Sequence, residues 1–117
     1  MNEKLFNRLL QNETDIDGAL KRLYGNESLY IKLLNAFLQD TTMSNLDIAI
    51  GEKDWDTAFT SAHALKGLAG NLGLVPLFYS IGELVVLIRT GRISEIDSTM
   101  DRVRQNYNDI ISTIEIS

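Results

Sequence analysis

Reactive side chains are scarce in this chain of 117 residues, which has one histidine and no cysteine. The single imidazole, His63, stands in the stretch S-A-H-A-L-K-G-L-A-G-N-L-G-L (61–74), beside Lys66 and three glycines. Glycine in a helix interior costs about 1 kcal/mol relative to alanine, so glycines gathered around the only imidazole call for a physical reason. A histidine side chain, with a reference pKa of about 6.5, offers a nitrogen lone pair near neutral pH. That nitrogen can attack a phosphoryl group, and the P–N bond it forms readily passes the group onward. Lys66, three residues later, can bring its ammonium beside the imidazole while its alkyl stem lies along the apolar border. Its charge would offset anionic phosphoryl oxygens.

Other chemistries lack their residues. One histidine cannot build a His-rich metal site, and no thiolate site is possible without cysteine. Asp15-Ile16-Asp17-Gly18 starts like a calcium loop but has its glycine too early. Gly67, Gly70 and Gly73 follow a helical pattern rather than linking a strand to a helix, so they form no nucleotide-binding fingerprint. The carboxylate pairs Asp54/Asp56 and Asp97/Asp101 fall at expected helix starts, where they favour the helix dipole. No G-x-S-x-G elbow occurs. The formal net charge of −5 disfavours nucleic acid as a partner. No apolar run reaches the roughly 20 residues of a membrane span, and the N-terminus lacks the apolar core of a signal peptide. A cytoplasmic protein with no bound metal or cofactor is expected.

The elements around His63 read as helices throughout, and the single proline leaves them uninterrupted. Leu5, Phe6, Leu9 and Leu10 predict a first short helix. Asp15 or Asp17 can cap a second that stops at Gly25. Asn26 caps a long helix whose stripe, Tyr30, Leu34, Phe37 and Leu38, loses phase near Thr41-Thr42 and resumes with Leu46, Ala49 and Ile50. A bend is expected there, with Gly51 as the terminator. Asp54 caps the next helix, in which Trp55, Ala58, Ala62, Leu65, Ala69 and Leu72 recur at three- and four-residue spacings as a bundle seam ending at Gly73. Pro76 suits the first turn of the following helix, which carries Leu77, Ile81, Leu84 and Ile88 and stops at Gly91. Ser94 and Asp97 resemble a capping box before the last helix, marked by Ile96, Met100, Val103, Tyr107, Ile110 and Ile114. The fold class is all-α: an antiparallel up-and-down four-helix bundle with short N-terminal helices. The expected organisation is one domain over 1–117, with the short helices in 1–25 and the bundle in 26–115.

On a helical wheel with Ala62 as zero, the seam lies within about 60° and His63 at about 100°. The imidazole should therefore be partly exposed at the seam's edge, halfway along the bundle. Phe59 and Lys66 lie on its core side. Gly70 shares its direction and Gly67 points further toward solvent. Neither glycine lies on the seam, so the close approach they permit is expected to be that of a partner outside the bundle.

His63-Ala64-Leu65-Lys66-Gly67, with Gly73 ten residues after the histidine, closely resembles the H-x-L-K-G signature of the histidine phosphotransfer (HPt) domains of bacterial and fungal phosphorelays. The runs 16–23 and 25–38 look like that family's opening helices. The resemblance implies a phosphorelay intermediate, a phosphoprotein of two-component signal transduction with no kinase activity of its own. His63 would accept a phosphoryl group from the aspartate of one receiver domain, such as that of a hybrid sensor kinase, and pass it to the receiver of a response regulator. Lys66 would be the charge partner, Gly67 the gap that admits the receiver, and Asn71 a polar contact; Phe59, Lys66, Gly67, Gly70 and Asn71 would form the docking face. The Mg²⁺ would belong to the receiver, and a monomer is expected. One departure is Val85, where the family often has glutamate. It begins the apolar run Val85–Ile88, expected to be core rather than an exposed strip. The alternative is an HPt-like binding module that docks receivers or kinases without phosphotransfer, although an intact His63, Lys66 and Gly67 argue against a degenerate copy.

Overall fold

The computed structural model describes residues 2–115; Met1, Ile116 and Ser117, at the ends of the expected 1–117 domain, lie outside the described residues. Seven α-helices follow in order: α1 (Asn2–Gln11), α2 (Ile16–Arg22), α3 (Glu27–Gln39), α4 (Thr42–Glu52), α5 (Trp55–Leu72), α6 (Val75–Arg89) and α7 (Ile96–Glu115). A 3₁₀ turn at Ile93–Glu95 leads into α7. The described residues contain no strand. Long helices joined by short connections pack antiparallel, as the apolar periodicity predicts. The most extensive contacts join α5 to α6, α4 to α5 and α6 to α7, while α1 and α3 close against α7.

The seam expected on α5 is observed. Ala58, Ala62, Leu65 and Ala69 are fully buried and Leu72 nearly so, with Trp55 half-buried at the start. Leu77, Ile81 and Leu84 of α6 and Ile96, Met100 and Val103 of α7 meet them in one core. The run at Val85–Ile88 is core at Val85, Leu87 and Ile88, and only Val86 emerges, 41% exposed.

The expected bent helix from Asn26 to Ile50 is instead two helices. Asp40 adopts an extended conformation, φ −73° and ψ 136°, and its Oδ1 accepts the Thr42 N–H at 2.8 Å. Asp and Thr compete with helical hydrogen bonds and favour caps, so the loss of phase at 41–42 marks a break. The stop expected at Gly51 falls later. The helix runs to Glu52, and Lys53 takes the left-handed conformation at φ 58°. α6 ends at Arg89 with Thr90 as its cap, and Gly91 follows with φ 68°. The Ser94–Asp97 capping box is replaced by the 3₁₀ turn, whose cap, Arg92, makes no side-chain capping bond.

Both ends of α5 are held tightly. At its start Asp54 accepts the Thr57 N–H at 3.2 Å. At its end Gly73 is left-handed, φ 72°, with Gly73 N–H donating to Gly70 O at 3.3 Å and Leu74 N–H to Ala69 O at 2.9 Å, a Schellman motif. Donors from far upstream also reach this end of the helix. Arg22 Nη2 reaches Gly70 O at 2.7 Å and Asn71 O at 3.1 Å. The Tyr30 hydroxyl donates to Leu72 O at 2.8 Å inside the core, and Asp15 N–H to Gly73 O at 2.8 Å. Asn71 O and Leu72 O, which would otherwise be orphaned, are thereby satisfied, with the Arg22 charge also suiting the negative end of the helix.

Candidate functional site

His63 is the ninth of the 18 residues of α5 and is exposed. Phe59, one turn earlier and half-buried, stacks on it with ring centroids 6.0 Å apart and planes 23° from parallel. Among the described residues no hydrogen bond reaches either imidazole nitrogen, so the ring is oriented by stacking and both nitrogens face outward chemistry unencumbered. Val85 is buried in the core and supplies no polar partner.

Lys66 is half-buried and turns across α6. Its Nζ lies 5.4 Å from the centroid of the Phe78 ring, within range of a cation–π interaction. Its Cε and Nζ lie 3.6 and 3.9 Å from where a Cβ on Gly82 would stand. The ammonium thus rests against α6, between Phe78 and Gly82.

The two site glycines differ. Gly67 is exposed, and nothing lies within 4 Å of the place its Cβ would occupy. It leaves a bare patch of helix one turn after His63, as the wheel predicts. Gly70 does not open free surface. A Cβ there would stand 3.1 Å from Phe78 Cε1 and 3.3 Å from Cδ1, so its missing side chain makes room for the Phe78 ring of α6. The wheel gives the direction of Gly70 correctly, but α6 reaches further round α5 than the seam alone implies. Asn71 is exposed, eight residues and so about 12 Å along the axis from His63. It borders a groove with Leu33, Ala36 and Phe37 of α3 and is not brought beside the imidazole. His63, Phe59, Lys66 and Gly67 form the cluster; Gly70 and Asn71 flank it.

Phe78 and Gly82 escape the sequence reading. Their signal was available: an aromatic followed four residues later by a glycine inside an otherwise apolar helix puts a ring and a gap on one face. Gly70 against Phe78 and Lys66 against Gly82 fix an antiparallel register between α5 and α6. One turn further, that register sets the exposed Val86 level with Ala62, next to His63. Among the described residues no group of three or more His, Cys, Asp or Glu could hold a metal ion, and no helix is long and apolar enough to cross a membrane.

The family model for the Hpt domain matches residues 32–113, well over half of the chain and including all of α4 through α6, and the chain belongs to that family. Hpt domains carry out histidine phosphotransfer in phosphorelays and engage receiver domains. No curated protein and no solved structure matches the chain.

Proposed function

We propose that this protein is a cytoplasmic phosphorelay intermediate in which His63 takes a phosphoryl group from the aspartate of one receiver domain and gives it to the aspartate of another. The observation that carries this reading is the exposed, unencumbered imidazole beside the bare backbone of Gly67. Lys66, three residues after His63, supplies a cation that complements the acidic pocket of a receiver.

In the transfer step one ring nitrogen attacks the phosphorus of the acyl phosphate. The N–P bond forms as the O–P bond breaks, the aspartate carboxylate leaves with the electron pair, and the other ring nitrogen keeps its proton. Phe59 holds the ring plane, Gly67 lets the partner's backbone come close, and Lys66 would swing its ammonium off α6 to meet the developing charge. Val86 continues the docking face onto α6. Mg²⁺ held by the receiver would neutralise the phosphoryl oxygens. The deciding experiment mixes the protein with phosphorylated receiver domains. Acid-labile label should move onto the wild type and not onto His63→Gln; label that still moves onto the variant sinks the assignment.

A further inference from the structure

His63 and Lys66 lean apart. The His63 ring stacks back on Phe59, one turn earlier, whereas the Lys66 stem passes Gly82 and its ammonium ends 5.4 Å from the centroid of Phe78. The near edge of that ring lies against Gly70, seven residues and so about 10 Å along the axis from His63. The lysine is therefore turned away from the imidazole. Lysine is a flexible point charge that loses rotamer freedom when it is held. Here it is held by the ring beneath its charge and by the gap at Gly82, while Gly70 leaves room for the ring. Among the described residues its ammonium makes no ion pair or hydrogen bond, so no carboxylate competes with the ring for the charge.

Resting on the reading of His63 and Lys66 given above, we propose that Phe78 and Gly82 form a berth that stows the Lys66 ammonium while His63 is bare, and that phosphorylation of His63 draws it off. Side chains three residues apart on a helix are neighbours. From one backbone position the lysine thus reaches either the Phe78 ring or a phosphoryl group on His63, which lie in different directions. Anionic phosphoryl oxygens attract an ammonium more strongly than the face of a ring does. The stowed state is the stable one without the phosphoryl group, and the swung state the stable one with it. The switch changes what a partner meets on α6. A receiver that donates meets Phe78 capped by a cation, and a receiver that accepts meets the ring uncapped beside the gap at Gly82. By linkage, whatever the ring contributes to stowing the lysine it subtracts from phosphorylation of His63.

The test pairs a spectroscopic readout with an equilibrium one, using a panel of receiver domains charged with acetyl phosphate. In the unphosphorylated protein the Lys66 ε-methylene protons should lie upfield, in the Phe78 ring current. They should return to the ordinary lysine position once a receiver has labelled His63, and stay upfield in His63→Gln mixed with the same receiver. Phe78→Leu removes the ring, and Gly82→Leu leaves the ring but fills the path of the stem; each should abolish the upfield shift. With excess acetyl phosphate removed, the equilibrium ratio of label on His63 to label on the receiver should rise about two- to fivefold in either variant, the size of a cation–π contact at a partly exposed site. Phe78→Tyr should match the wild type, and neither variant should raise the ratio in a Lys66→Ala background. A Lys66 signal that is unshifted in the free protein, or still shifted after phosphorylation, overturns the proposal. So does a ratio that is unchanged or lowered in both variants, or raised equally without Lys66. Failure of the wild type to take label from any receiver would instead overturn the phosphotransfer reading, and with it the switch, even if the ring-current shift is present.

Discussion

Phe59 stacks on His63 at a centroid separation of 6.0 Å, from the preceding turn of the same helix. With no hydrogen bond on the imidazole among the described residues, this contact alone sets the ring's plane. Aromatic pairs contribute roughly 0.5–1.5 kcal/mol beyond their area. Phe59→Leu should therefore slow transfer to His63 by about two- to tenfold, while Phe59→Tyr keeps the rate. Circular dichroism should show the helix content unchanged in both, because Phe59 lies at the core's edge.

Gly67 separates stability from activity. Glutamine is the better helix former by roughly 0.5 kcal/mol or more, and nothing stands within 4 Å of the new Cβ. Gly67→Gln should leave the melting temperature unchanged or raised, yet slow transfer from a receiver about tenfold or more by blocking close approach. A clear loss of stability would show that Gly67 serves packing instead.

Gly73 behaves oppositely. It is left-handed at φ 72°, and a Cβ would overlap the carbonyl oxygen of Asp15. Gly73→Ala should destabilise the fold by about 2–4 kcal/mol in urea titration, through strain at α5's end and loss of the Asp15–Gly73 contact.

Tyr30 predicts an alkaline limit. Burial, opposed by Arg22 and aided by Asp15, raises its pKa from 10.0 to about 12. A raised phenol pKa gives stability that is fully present below about pH 10 and lost as pH climbs through about 12. Tyr107 is raised in the same sense by burial and Asp40. Tyr30→Phe should cost about 1–3 kcal/mol at neutral pH, because the Leu72 carbonyl loses its buried donor, and should flatten the fall above pH 10. At the acid end Asp54 is held below the usual carboxylate range by its Thr57 hydrogen bonds, hydroxyl and amide. Its contribution is present above that range and lost as pH falls.

The bundle and the imidazole's exposure were legible because they depend on spacing within one helix. Ala58, Ala62, Leu65 and Ala69 repeat at the helical period, and Asp15, Asn26 and Asp54 are local caps that act where the chain places them. What the spacing could not carry was contact between helices. The room at Gly70 is filled by Phe78, and the ammonium of Lys66 goes to α6 rather than simply alongside the imidazole, because the register of α5 on α6 is a property of two helices. The break at Asp40 was half legible: loss of phase marked the place, and only the Asp40–Thr42 hydrogen bond turned a bend into an end. Lys53, a poor residue for a left-handed position at a cost on the order of 1 kcal/mol, hid the end of α4 behind the more obvious Gly51.

The donors that close the end of α5, at Asp15, Arg22 and Tyr30, all precede residue 32, where the family pattern begins. The matched span therefore leaves out the residues that close the helix carrying His63. A fragment cut to the family pattern would keep His63, Lys66 and Gly67 but lose the clamp on the helix that presents them. Its fraying end would begin one residue past Asn71, two turns from the imidazole, and local opening there would exchange amide hydrogens that the longer chain protects.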